Sequence, residues 1–245
     1  MQATSAINIR GLTKYHGNRL ALRGLDLDSS WGQVLSVFGP NGSGKTTLVR
    51  LLSGLSRPTS GSIRIAGLNP ETNGAAVRQV LGVLTHKTFL YDDLTVLENL
   101  RVHARMCGVD DLDARIEEVC ATLDITSYLN TRVRTLSNGM QKRVSLTRAF
   151  IHHPRLLILD EPEAGLDQEA LSLVGSLLKD HRSQGGTAIV TTHNVEWGMS
   201  YADRIIILSK GRISYDANAD VVDANAFRET YRRQTGAQPL PPQAC

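Results

Sequence analysis

The segment Gly39-Pro40-Asn41-Gly42-Ser43-Gly44-Lys45-Thr46 constrains this chain more than any other. It satisfies the pattern GxxxxGK[ST] in full, between an apolar run at 33–38 (QVLSVF) and a helix-forming run at 45–54 (KTTLVRLLSG). Strand, glycine turn and helix in direct succession build an anion cradle. The glycines let successive backbone N–H groups turn inward, and the helix adds its positive end. Lys45 brings a point charge for β- and γ-phosphates, and the Thr46 hydroxyl is a natural Mg²⁺ ligand. A plain strand-to-helix turn needs none of these constraints.

A second apolar run, 156–160 (LLILD), ends in the carboxylates Asp160 and Glu161. Its continuous hydrophobicity predicts a strand buried on both faces of a parallel sheet. Such sheets bind ligands at the carboxyl ends of their strands, so the acidic pair can meet the phosphate loop at one edge. Asp160 is then placed to hold Mg²⁺, and Glu161 to polarise the water that attacks the γ-phosphorus. Taken alone, two acids after a strand are also an ordinary solvated turn. The strand predicted at 187–192 (TAIVTT) leads directly to His193.

The remaining pattern is α/β, interrupted by helices. Strands are predicted at 7–12, 62–66, 204–209 and 212–216, the last two joined by a hairpin at Lys210-Gly211. From about 93 to 150 the texture is helical, and Leu112, Ile116, Val119 and Leu123 mark one amphipathic face. Helices are also predicted at 73–79, 168–182, 195–202 and 219–233. The last residues, with three prolines, are expected to form a flexible tail over 234–245. No run of about 18 apolar residues is present, and the N-terminus lacks a leader-like apolar stretch. A net charge of +3 is too small to argue for nucleic acid. The cysteines Cys107, Cys120 and Cys245 fit neither a disulfide framework nor a close-set metal motif.

Together these features resemble the ATP-binding subunit of an ABC transporter. The diagnostic piece is Leu136-Ser137-Asn138-Gly139-Met140, followed by Gln141-Lys142-Arg143. It stands where the family places its signature, usually LSGGQ, and departs from it at Asn138 and Met140. The resemblance implies a P-loop core (1–86 and 151–211) with an N-terminal antiparallel β portion and a helical signature subdomain at about 87–150. With a C-terminal segment at 212–233, these make one nucleotide-binding domain over 1–233. It implies ATP and Mg²⁺ as cofactors, with Gly39, Asn41, Gly42, Ser43, Gly44, Lys45, Thr46 and Thr47 around the phosphates. Tyr15 is implied to stack on adenine, Asp160 and Thr46 to hold the metal, and Glu161, His193 and Lys45 to serve hydrolysis. Ser137 and Gly139 are implied to reach the γ-phosphate of a second cassette in a head-to-tail pair, expected to be another copy of the chain. Asp167, in Ala164-Gly165-Leu166-Asp167, is implied to help join the two. Glu163 occupies a place where many relatives are neutral, and no role follows for it. His86 stands where most relatives have glutamine. It can make a hydrogen bond there, but its charge depends on pH, and a protonated imidazole cannot ligate Mg²⁺.

The run LGVLTHKTFLYDDLTVLENLRVHARMCGV is similar to CcmA, the haem-exporter ATPase family of cytochrome c maturation. That resemblance implies a peripheral ATPase on the cytoplasmic side of the cell membrane. Its implied partner is a set of integral-membrane subunits, one of which inserts a helix into a groove beside residues 86–107. Exporters of drugs, lipids or polysaccharides are the alternative within transporters. A nucleotide-responsive scaffold is the alternative outside them. Repair and translation ATPases are disfavoured, because the chain has neither a long coiled coil nor a second cassette.

Overall fold

Every side chain of 34–38 is buried, and the strand they form, β3 (Val34–Phe38), runs through the middle of the larger sheet. The computed structural model describes residues 5–236. The larger sheet also contains β5 (Leu81–Leu84), β6 (Leu156–Asp160), β7 (Thr187–Thr192), β8 (Arg204–Ser209) and β9 (Arg212–Asn218). Their order is β5-β6-β7-β3-β8-β9, parallel except for the antiparallel edge strand β9. Alternate residues of β6 serve opposite faces. Leu156 and Ile158 pack with α1 (Lys45–Leu52) and α2 (Gly74–Val80), while Leu157 and Leu159 pack with α5 (Asn138–Phe150) and α6 (Gln168–Ser183). Burial on both faces explains the unbroken apolar runs in the sequence.

The smaller sheet, ordered β2-β1-β4, is antiparallel and consists of β1 (Ile7–His16), β2 (Arg19–Ser29) and β4 (Ser60–Ile65). Its inner face joins the α1 side of the core through residues such as Ile7, Leu27 and Ile63. The sequence reading had no strand at 19–29. There the alternation slips between Leu22 and Leu25, where β2 spends three residues against two of β1 (Leu12 to Lys14) and Gly24 takes φ 65°. A bulge of this kind breaks the period-two signal.

The helical region contains α3 (Val96–Met106), α4 (Leu112–Thr122) and the start of α5. A reciprocal cap begins α3: the Glu98 N–H donates to Thr95 Oγ1 at 3.2 Å, and the Thr95 N–H donates to the Glu98 carboxylate at 2.7 Å. The stripe on α4 divides, with Ile116 packing among the helices and Val119 and Leu123 against α5 and α6. Beyond the sheet, α7 (Val195–Tyr201) and α8 (Ala224–Thr235) cover Phe38, Ile205 and Ile207. The helix expected over 219–233 is shorter at its start. A single tight turn at Ala219–Val221 precedes it, and Asp223 caps Asn225 and Ala226. It ends two residues later than expected, at Gly236 with φ 68°, so 234 and 235 are helical rather than tail. The rest of the expected tail, 237–245, lies outside the described residues. No helix among the described residues is long and apolar enough to cross a membrane.

Candidate nucleotide-binding site

Parallel register brings four strand ends to one edge of the sheet. Phe38 is level with Thr192, Asp160 with Thr191, and Leu84 with Leu159. The residues that follow these positions are Gly39, His193, Glu161 and, two further on, His86. The phosphate loop leaves β3 and enters α1 within a few residues. A Cβ at Gly39 would lie 2.3 Å from the Leu208 carbonyl oxygen, and one at Gly44, where φ is 116°, would lie 2.8 Å from Leu22. Only glycine lets the loop pass so close to its neighbours. Asn41, Gly42 and Thr46 are exposed on the rim, while Ser43 is buried. Thr47 Oγ1 lies 3.3 Å from His16 Nε2. Tyr15, the residue before His16 near the end of β1, is 45% exposed, so its ring is open to a planar ligand.

Lys45 is buried and gathers the chemistry around it. Its ammonium donates to the Gly39 carbonyl at 2.6 Å and lies 3.6 Å from Glu161 Oε1. His193 Nε2 is 2.5 Å from the same Glu161 oxygen and 3.2 Å from Lys45 Nζ. One ring nitrogen cannot donate to the first and accept from the second. The shorter, charge-assisted contact decides in favour of donation to Glu161. Burial lowers the Lys45 pKa, against the pull of Glu161, Asp160 and Glu163. Burial works to raise the Glu161 carboxyl. The His193 hydrogen bond and the charges of His193, Lys45 and His86 outweigh it and hold Glu161 at about 2. Glu161 also sits at φ 48°, a left-handed conformation that costs a non-glycine residue about 1–3 kcal/mol. Its N–H is held there by the Thr191 carbonyl and hydroxyl, at 3.0 and 3.1 Å.

Asp160 is fully buried. Its Oδ1 accepts from Thr191 Oγ1 at 2.6 Å, while Oδ2 has no hydrogen-bond partner among the described residues. His86, half exposed, brings Nε2 to 3.4 Å from that Oδ2 and 3.9 Å from Glu161 Oε2. The histidine thus reaches the carboxylates from the place where the family has glutamine.

Three residues join the site without a role from sequence. Glu163 accepts from the Thr192 hydroxyl, and from the His193 N–H at 3.0 Å, so it fixes the turn that presents His193. An acid where relatives are neutral was the signal, but its partner lies on another strand. Lys142 donates to the Glu161 carbonyl, and burial lowers its pKa. The Arg19 guanidinium lies against the loop, 3.0 Å from where a Cβ on Gly42 would stand. Nothing in the sequence distinguished Arg19 from other surface arginines.

Ser137, Gly139 and Asp167 do not join this cluster. They line a separate cavity of about 490 Å³ with Met140, Arg143 and Gly165. Ser137 caps α5, its Oγ accepting from the Met140 N–H at 3.3 Å. A Cβ at Gly139 would lie 2.9 Å from the Gly165 carbonyl, so the signature turn packs tightly on the loop that carries Asp167. Asp167 caps α6 through the Ala170 N–H at 2.8 Å and pairs with Arg143 at 2.9 Å.

The donor set fits a magnesium-bound polyphosphate. The buried, unpartnered Asp160 oxygen is hard and anionic, as Mg²⁺ requires. The Ser43 hydroxyl is likewise buried without a partner, beside Lys45 and the start of α1. Both are costly in a dry protein and are satisfied by a cation and an anion side by side.

Comparison with known proteins gives a consistent picture. The pattern of the family described as "ABC transporter" matches residues 22–164. An uncharacterised ABC transporter ATP-binding protein of Bacillus subtilis (strain 168) is 34% identical over 222 residues, covering 90% of this chain and 72% of that one. A Nod factor export ATP-binding protein of Cupriavidus metallidurans is 34% identical, over 85% of this chain and 70% of that one. A daunorubicin resistance ATP-binding protein of Streptomyces coeruleorubidus is 36% identical, over 91% and 71%. Among solved structures, a dimeric bacterial ABC transporter cassette superposes with a TM-score of 0.79 at 26% identity, over 87% of this chain and 98% of that one. An ATP-binding subunit of an ABC transporter reaches 0.84 at 24% identity, over 96% of each, and at that identity shows the fold alone.

Proposed function

This chain belongs to the ABC transporter family, as an ATP-hydrolysing cassette that takes ATP with Mg²⁺; from that membership we propose that it is the motor subunit of an exporter, acting in a head-to-tail pair. One observation carries the reading. Asp160, Glu161, His193 and His86 converge on or beside Lys45 at the ends of four adjacent parallel strands.

In this reading Lys45 leaves Glu161 to meet the phosphates, which the loop from Gly39 to Thr47, Asn41 included, surrounds with N–H and hydroxyl donors. Tyr15 stacks on the base. Asp160 and Thr46 hold the metal. When bound, magnesium supplies charge neutralisation across the phosphate oxygens. Glu161 orients and polarises the attacking water, and His193 holds its carboxylate in place. His86 contributes a hydrogen bond beside Asp160 rather than a metal bond.

Ser137 and Gly139 line a cavity of their own, which supports their completing the site of a second copy. The dimeric form of the solved relative supports the same pairing. We take residues 1–233 as one domain and place it on the cytoplasmic face of the membrane. There the exposed Phe89, Val102 and Met106 beside the helical region suit a docked helix of a membrane subunit. The relatives' names, Nod factor export and daunorubicin resistance, support export of a drug, lipid or polysaccharide over the cytochrome c maturation role suggested by the run around His86.

Glu161→Gln tests the core of the proposal. It should bind ATP as before and hydrolyse it about 10²–10⁴-fold more slowly. Hydrolysis at the parent rate would remove Glu161 from the mechanism. Trapped with ATP in native membranes, the same variant should co-purify an export permease. Recovery of haem-handling membrane subunits instead would restore the cytochrome c assignment.

A further inference from the structure

Away from the nucleotide, two imidazoles and a thiol meet where the helical region packs on the sheet. His103 lies on α3 and Cys107 caps its end one turn later, so the two share a face. His152 follows the end of α5. A ligand atom of each lies within 4.8 Å of those of the other two. Cys107 Sγ is 3.7 Å from His103 Nε2, and the two histidine rings meet edge to face with centroids 5.6 Å apart. Packing alone does not call for this set, because apolar side chains fill such a place without desolvating polar atoms.

The protonation states are informative. His152 Nε2 lies 3.3 Å from the Leu81 carbonyl, which can only accept, so Nε2 carries the proton and Nδ1 the lone pair. That Nδ1 is buried and has no hydrogen-bond partner among the described residues. An outer carbonyl that fixes the tautomer of a histidine in this way is the usual support of a metal-ligating ring. Burial, reinforced by Arg148 and His152, lowers the pKa of the His103 imidazole. Burial also raises the Cys107 thiol, against the pull of Arg148 and Arg78. Arg148 is held by the Val83 carbonyl at 3.2 Å and lies 5.7 Å from the centre of the Phe89 ring. Its charge favours the thiolate form of Cys107.

We propose that His103, Cys107 and His152 form a site for a nitrogen- and sulfur-seeking divalent metal ion, with zinc as its occupant. Two imidazoles and a thiolate are zinc donors, whereas magnesium and calcium select oxygen. Three protein donors leave a fourth position. His103 and Cys107 also line a groove of about 280 Å³ beside Met106 and Phe89, so that position opens to water. A bound ion would tie α3 to the end of α5 and, through the Leu81 carbonyl, to β5, the strand that leads to His86.

Cobalt(II) is the probe, added to the full chain without nucleotide or magnesium. The expected result is one equivalent bound, with a thiolate-to-cobalt charge-transfer band that an equivalent of zinc bleaches. Cys107→Ser should lose the band while binding Mg-ATP normally, which shows that it folds. His103→Ala and His152→Ala should each weaken cobalt binding at least roughly tenfold. No band at saturating cobalt would overturn the site. So would a band in Cys107→Ser equal to the parent's, which would move the ion to Cys120 or Cys245, or unchanged affinity in His152→Ala.

Discussion

At the sheet edge, Lys45, Glu161 and His193 neutralise one another within 3.6 Å. Around Ser137 and Gly139 the chain instead leaves a cavity of about 490 Å³; of the three acids that line it, Asp167 is engaged as a helix cap and an Arg143 partner, Asp124 lies 3.7 Å from the same arginine, and Glu169 stands in the first turn of α6. The first region must exchange internal partners for its ligand. The second is an open cavity lined by hydroxyl, guanidinium and carboxylate groups. In the head-to-tail pairing proposed above, a chain that carries both would supply half of each of two sites. ATP that joins the halves then favours the closed pair by its differential affinity for that state.

The strongest way to break this comparison is to fill the cavity. Ser137→Arg puts bulk and charge where the second copy's phosphate would approach. Hydrolysis should fall by roughly 10²-fold or more, and ATP-dependent pairing, followed by light scattering, should disappear. Nucleotide binding to the monomer should stay as it was. Pairing at the parent level would show that the two regions do not work together.

The charge balance of the first region predicts a pH signature without nucleotide. Glu161 is held at about 2 against a reference of 4.5, so its ionised form favours the folded state. That contribution is fully present above pH 4.5 and is lost as pH falls toward 2. Discounted because His86 is half exposed to solvent, it amounts to about 2 kcal/mol. Urea unfolding should therefore show the parent more stable than Glu161→Gln at pH 7, with the gap closing toward pH 3. A gap independent of pH would mean that the carboxylate is not held by its neighbours.

Glu163 sharpens the same region. It touches the Thr192 hydroxyl and the His193 N–H but not Glu161's carboxylate, so it is a positioning residue. Glu163→Ala should lower kcat about tenfold through a displaced His193, with KM for ATP little changed. Glu163→Gln keeps an acceptor and should recover most of the loss. Equal falls in kcat for both variants would assign the effect to charge rather than to the turn.

How far the sequence disclosed these regions depends on where the partners lie. The phosphate loop and the LLILD strand were readable because their residues are contiguous and each type has one physical use. Parallel register then brought Asp160 and His193 to the same edge, as strand-end placement requires. Strand β2 was missed because a bulge at Arg23-Gly24 breaks its alternation, and the start of the last helix because Asp223, not residue 219, supplies the cap. Glu163 and Arg19 went without roles for another reason. Their partners, His193 and the loop at Gly42, are distant in sequence, and no local pattern encodes such pairings. The resemblance set His86 at the family's glutamine position near the metal, and the structure adds that its ring reaches 3.4 Å from Asp160.

Asp167 gives the smallest effect and the finest separation of the two regions. Its carboxylate accepts from the Ala170 N–H at the start of α6, so Asp167→Ala should cost about 1 kcal/mol in urea unfolding. The Arg143 pair adds little, because Asp167 is largely exposed and its charge is screened. Asparagine keeps the capping oxygen, so Asp167→Asn should unfold within about 0.5 kcal/mol of the parent. If Asp167 only caps its own helix, that variant should also pair with ATP normally. If it bridges two copies, Asp167→Asn should fold as the parent does and yet pair more weakly. The second outcome is expected, because the aspartate lies on the wall of the same cavity as Ser137 and Gly139.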